Sequence, residues 1–219
     1  MVPREKFNAE KRQLFEYARL LCSDSIRILE SSLEAAESAD PLQSESVSRQ
    51  GTHLRELEKL IDDMAARIIA LESPVAGDLR LFITYIKVGS DFERISRHAE
   101  RLARSTQTIS FDFMAIFMPK VRIMVATAIE MLHSIAQAMA DQSYQGLQSL
   151  SNLDDVIDKL YKELSVEVSA YLRENVNKIE DGMAFLLLLR YMERVGDHAT
   201  NIAEWIHFAR TRQHIALND

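Results

Sequence analysis

Apolar residues recur along most of this chain at spacings of three and four, the period of a helix buried on one face. Phe7, Leu14, Ala18, Leu21, Ile28 and Leu29 predict a first helix over about 7–37. Residues 38–48, Ser-rich and containing Asp40-Pro41, break the pattern, and Leu54, Leu57, Ile61, Met64, Ile68 and Leu71 resume it as a second helix. Ser73-Pro74 reads as a helix start, with Ser as the cap and Pro where its missing N–H is not needed. A third helix carries Leu79, Phe82, Ile86, Phe92, Ile95, Ala99 and Leu102. The segment 106–120 interrupts again, and three more helices are predicted over 121–140, 147–174 and 179–212. The expected fold is all-α: two tandem three-helix bundles of long antiparallel helices, set end to end.

The chain also contains part of itself twice. Residues 91–104 read DFERISRHAERLAR and residues 191–204 read YMERVGDHATNIAE, an offset of 100 at which Glu, Arg, His, Ala and Ala recur identically. Upstream, LEKLIDD at 57–63 matches LDDVIDK at 153–159, an offset of 96. The difference is about one helical turn, a change that a loop absorbs. The repeat divides the chain into units at 5–107 and 112–213.

Composition narrows the function. Hydrophobic residues make up 47% of the 219, with only six Gly and four Pro, which favours long helices over turn-rich sheet. No apolar run approaches the roughly 20 residues of a membrane span, and no apolar leader follows Pro3, so direct membrane insertion is not expected. Cys22 is the only cysteine, which excludes an internal disulfide and suits a reducing cytoplasm. A net charge of −7 without a basic stripe argues against nucleic acid as a partner.

The candidate chemistry is acidic. In the sixth helix, Met192, Val195, Ala199 and Ile202 form the core seam, while Glu193, Asp197 and Asn201 stack at i, i+4 and i+8 on a face expected to turn away from the core. Asp154 and Asp158 are again i, i+4 partners in the fifth helix, with Asp155 beside them. Like charges at this spacing disfavour a helix by a few tenths of a kcal/mol per pair. Either the face is simply solvated, or a hard cation held by the carboxylate and amide oxygens compensates it, and iron or manganese would suit as well. The first repeat keeps Glu93 but has Arg97 and Arg101 in place of Asp197 and Asn201, so Arg97 is expected to pair with Glu93 in a salt-bridged face; Asp62 and Asp63 remain without a complete site. His98 and His198 recur one residue beyond this line and read as hydrogen-bonded, partly buried imidazoles. Two Glu-x-x-His pairs, Glu130/His133 and Glu204/His207, are only weak evidence for the di-iron carboxylate bundle pattern, since chance alone supplies about one such match in so acidic a chain. No Gly-rich phosphate loop, Cys-x-x-Cys or Gly-x-Ser-x-Gly points to an enzyme.

The segments FERISRHAERLA and MERVGDHATNIAEW, with Pro74-Val75-Ala76-Gly77-Asp78-Leu79-Arg80, resemble the PhoU family of phosphate-signalling regulators over about residues 5–212. The resemblance implies a cytoplasmic, non-enzymatic homodimer that restrains phosphate uptake and starvation signalling as an adaptor. Its partners would be the ATPase subunit of a phosphate ABC transporter and a sensor histidine kinase. It further implies that a Glu-x-x-x-Asp motif can hold iron or another metal such as manganese or zinc. In this chain the motif is intact as Glu193/Asp197 with Asn201, beside Asp154/Asp158, so metal is expected on the second repeat alone. The alternative is a carboxylate bundle that stores metal or houses a di-metal enzyme, which would need these side chains to face inward.

Overall fold

A computed structural model describes residues 3–141, 147–213 and 215–217 of the chain. The described residues form six long helices and no strand: α1 (Pro3–Ser38), α2 (Pro41–Glu72), α3 (Ala76–Ala103), α4 (Phe111–Asp141), α5 (Leu150–Glu174) and α6 (Ile179–Thr211). Single 3₁₀ turns precede α4, α5 and α6. Among these residues no helix is long and apolar enough to cross a membrane.

Helix ends differ from the periodicity where local chemistry or packing overrides it. The Ser-rich break shrinks to Ala39 and Asp40: Asp40 caps α2 by accepting the Leu42 amide at 2.9 Å, and Pro41 takes the first helical position. Ser73 does not cap α3. It closes α2 in a left-handed conformation (φ 42°), and α3 starts after Val75 without a side-chain cap. The largest revision is α4, which begins at Phe111 and runs straight through Pro119. An interior proline costs a helix ~3 kcal/mol or more. Here Phe113 and Phe117 insert between Phe185 and Tyr171, with ring centroids 5.2–6.0 Å apart, and burial of that cluster holds the first turns of α4 in place.

The bundles lie side by side, not end to end. Within each repeat the second helix packs on the first and third, and across the repeats α3 lies along α6 and α1 along α4. One continuous core results, running from Leu14 and Phe82 in the first repeat to Phe185 and Ile206 in the second. The pattern of burial repeats in the first helices as well: Leu14, Ala18, Leu21, Ile28 and Leu29 are buried, and so, at one fixed spacing along the chain, are Phe117, Val121, Met124, Met131 and Leu132. Cys22, between α1 and α4, donates to the Leu132 carbonyl at 3.6 Å, and burial pushes its thiol up to about 12.

The side-by-side arrangement follows from α3 and α6 being apolar or small on two sides. They cross antiparallel about the duplicated histidines. The His98 and His198 rings stack 5.8 Å apart, 18° from parallel. His198 Nδ1 pairs with Asp91 at 2.9 Å, whereas His98 lies against the ring of Tyr191, which stands where the repeat would place a second Asp. The Arg101 guanidinium lies over the Tyr191 ring, 4.1 Å from its centroid. His98 Nδ1 is buried without a hydrogen-bond partner among the described residues. Burial first, then the charges of His198, Arg101, Arg194 and Arg94, lowers its pKa to about 4.

A pH dependence follows. Unfolded His98 takes a proton below about pH 6.5 and the folded residue refuses it until about 4. Stability therefore falls as pH drops through that interval, by up to ~1.4 kcal/mol per pH unit for one proton. His98→Phe, which keeps the stack on Tyr191, flattens this part of the stability–pH curve in chemical denaturation; a curve unchanged from wild type refutes the assignment.

Candidate functional site

Alpha-5 and α6 bring four of the five predicted ligands to one seam. Asp154 and Asp158 come from α5 and Glu193 and Asp197 from α6, near enough that the charges of Asp197, Asp158 and Glu193 act on Asp154 and those of Asp197 and Asp158 act on Glu193. Gly196 makes the approach possible: a Cβ placed there would sit 2.3 Å from Asp154 Oδ1. The first repeat has Ser96 at this position, so its acidic helix pair cannot close in the same way. Asn201 lies one turn further along α6, half-buried, and no hydrogen bond ties it to the carboxylates among the described residues.

The orientation differs from the expected one. Glu193 is only 8% exposed, and Asp154, Asp158 and Asp197 are all half-buried, so the acidic row is covered by α5 rather than turned to solvent. Helical periodicity marks the side opposite one seam as outward, but α6 packs against α3, α4 and α5 and has little outward side. Glu193 Oε1 accepts from Arg190, while Oε2 is buried with no hydrogen-bond partner among the described residues. Burial raises the Glu193 pKa, helped by Asp197. Asp154 is pushed up to about 7, first by burial and then by Asp197, Asp158, Glu193 and Asp155. Lys162 reaches Asp158 at 3.6 Å from the solvent side.

Such a seam has unmet demand for positive charge, and its donors are the hard oxygens that suit a cation of the calcium, manganese or iron type. Nevertheless, no three His, Cys, Asp or Glu side chains among the described residues are gathered closely enough to hold a metal ion. The carboxylates share a seam without sharing a point.

The first repeat contains more of this site than its sequence suggests. Glu58 and Asp62 on α2 stand where α5 has Asp154 and Asp158, opposite Glu93 on α3. Burial, then Asp62 and Glu93, raises the Glu58 pKa; burial, then Asp63, raises that of Asp62, whose Oδ1 is buried without a hydrogen-bond partner among the described residues. At the fourth position Arg97 reaches Glu93 as expected, and this hydrogen bond raises the arginine's own pKa. Glu58 was legible at the offset of 96 as the counterpart of Asp154, but Glu-for-Asp at one position stands out little beside the Arg-for-Asp change. The Glu-x-x-His pairs are dispersed: Glu130 and His133 are exposed on α4, and Glu204 accepts the Leu217 amide at 2.7 Å.

The raised Asp154 carries a sign. The folded protein holds a proton on Asp154 where the unfolded chain has released it, so ionisation costs stability as pH rises from about 4 through about 7. In chelator, Asp154→Asn raises stability by at least about 2 kcal/mol at pH 8 and leaves it nearly unchanged at about pH 3.5, below the unfolded pKa, read from urea midpoints. Equal shifts at both pH values overturn the electrostatic account.

A family model described as the PhoU domain matches the chain twice, over residues 19–106 and 121–206. A phosphate-specific transport system accessory protein PhoU homolog from Borreliella burgdorferi is 32% identical over 199 residues, covering 88% of this chain and 89% of that one. The crystal structure of PhoU from Pseudomonas aeruginosa superposes with a TM-score of 0.85 at 26% identity, over 94% of this chain and all of the other. PhoU from Streptococcus pneumoniae, at 23% identity, has the same fold, with a TM-score of 0.86 over 96% of this chain and 99% of its own. Two successive domain matches and likeness to a relative along nearly its whole length make this chain a member of the PhoU family.

Proposed function

We propose that this protein is a cytoplasmic negative regulator of phosphate uptake and phosphate-starvation signalling. It acts as an adaptor between the ATPase subunit of a phosphate ABC transporter and a sensor histidine kinase. The observation that carries the reading is the 32% identity, across nearly the full length of both chains, to a relative described as an accessory protein of phosphate-specific transport. Its physical basis is a rigid, continuous helical core, which suits a protein that acts by binding one state of a partner better than another. A homodimer is part of the proposal. Ile116 and Ile123, seven residues apart on α4, are 48% and 50% exposed, apolar surface of the kind a second copy covers. Deleting the gene in its own host is expected to switch on phosphate-starvation genes in phosphate-rich medium. Unchanged expression in the deletion strain rules the reading out.

We further propose that the α5–α6 seam takes a hard cation. Asp154, Asp158, Glu193 and Asp197 would hold it, with Asn201 at the margin. The cation would supply the positive charge that these groups lack, drawing their oxygens together. Support comes from the buried Glu193 Oε2, which has no hydrogen-bond partner among the described residues, and from the burial and carboxylate repulsion that push Asp154 up to about 7. Two outcomes are expected in titrations with manganese, iron and zinc. Uptake weakens as pH falls below about 7, because a proton on Asp154 competes. Asp197→Arg, which copies the first repeat, abolishes uptake while the helical circular dichroism signal is retained. Equal uptake by wild type and Asp197→Arg means that the seam is structural.

A further inference from the structure

We propose that the cleft at the start of α3, where the two repeats meet, is a binding site for a small amphipathic organic anion. The cleft measures about 550 Å³ and is walled by α1, the first turns of α3 and the last turn of α6. That volume falls in the range of small-molecule sites, about 300–1,000 Å³. Its rim carries Lys11 and Arg12 with the carboxylate of Asp78, which pairs with Lys11, while Arg12 has no ion-pair partner among the described residues. Two cations to one carboxylate, with Arg12 left over from the Lys11–Asp78 pair, is a local excess of positive charge in a chain whose net charge is −7. The floor is apolar, built by Phe15, Leu81 and Tyr85. Beyond it a narrow slot of about 30 Å³ continues between α3 and the ends of α4 and α6. Thr84, on the slot wall, is 2% exposed, and its hydroxyl has no hydrogen-bond partner among the described residues. Charge at the mouth, apolar surface below it and one buried hydroxyl at the end describe a ligand with an anionic head and a short apolar body.

The duplication supplies an internal comparison. The offset of 100 that relates α3 to α6 places the matching location at the start of α6, and there the protein closes the gap with its own groups. Asp181, the counterpart of Leu81, accepts the Ser110 amide at 2.8 Å and the Ser110 hydroxyl. Lys178, the counterpart of Asp78, pairs with Asp112 at 2.8 Å and with Asp181 at 3.3 Å. Ile109, on the linker into α4, is buried beside them. The chain thus fills one end with its own carboxylates and an apolar side chain, and at the other presents cations, an apolar floor and open space. The cleft is also bounded by both repeats, so an occupant would bear on how they sit together. The inference stands apart from the proposed role in phosphate transport: a deletion phenotype tests that role, and titration of the purified chain tests this site.

The experiment is calorimetric titration of the full chain with hexanoate, hexyl phosphate, hexylammonium and inorganic phosphate. Hexanoate and hexyl phosphate are expected to saturate one site per chain; their ratio tells a carboxylate site from a phosphate-ester site. Hexylammonium is expected not to bind, and inorganic phosphate, which lacks the apolar body, to bind at least tenfold more weakly. Arg12→Glu lowers hexanoate affinity at least tenfold, and Leu81→Trp, which fills the floor, removes binding. If Leu81→Trp does not fold, the rim variant Arg12→Glu carries the test. 6-Hydroxyhexanoate, which offers a hydroxyl to the slot, binds several-fold tighter than hexanoate in wild type and equally in Thr84→Val. Hexylammonium binding as well as hexanoate, or an Arg12→Glu protein that titrates like wild type, overturns the site. Equal affinities of the two acids for wild type overturn the part given to Thr84.

Discussion

The antiparallel seam between α3 and α6 is the constraint on which the rest of the architecture depends. Each helix belongs to its own three-helix unit and also to the junction with the other, so each must be apolar or small on two sides. Ala99, Ala103, Ala199 and Ala203 are fully buried along it and let the backbones approach. Apolar surface alone tolerates sliding by a turn. The His198–Asp91 hydrogen bond does not, because a slip of about 5.4 Å would leave two buried polar groups without partners. The Tyr191 stack on His98 and the Arg101 guanidinium over Tyr191 are what the same register looks like with the Asp replaced. The register in turn places α1 against α4 and unites the two cores.

On that frame the two repeats have taken different solutions to one electrostatic problem. Their second and third helices each bring carboxylates together at a half-buried seam, which disfavours the fold unless a positive charge is present. In the first repeat Arg97 provides it covalently, beside Glu93, with Glu58 and Asp62 opposite. In the second, Asp197 replaces the arginine and Gly196 lets Asp154 settle against α6, so protonation of Asp154 relieves the strain in the isolated chain. The aliphatic side of α5, with Ile157, Leu164 and Val168 fully buried, holds the seam together against this repulsion. A tethered cation and an exchangeable positive charge are physically alike in sign. They differ in that only the second can come and go.

The amino-acid sequence by itself determined the helices, the duplication, the acidic row and the Arg97 exchange. These are local or near-local facts: a period of 3.6 residues, a fixed offset, a spacing of four along one helix. Tertiary structure decided everything that requires knowing which face meets which. It set the bundles side by side, buried Glu193 beneath α5, and carried α4 back through Pro119 because an aromatic cluster from three helices waits there. It brought Glu58 into the first repeat's seam and left one end of the junction closed by Ser110 and Asp181 while the other stays open. The physical reason is that a hydrophobic pattern records how much of a helix is covered, but covering partners of equal polarity leave the same pattern, and only the joint packing of six helices selects among them.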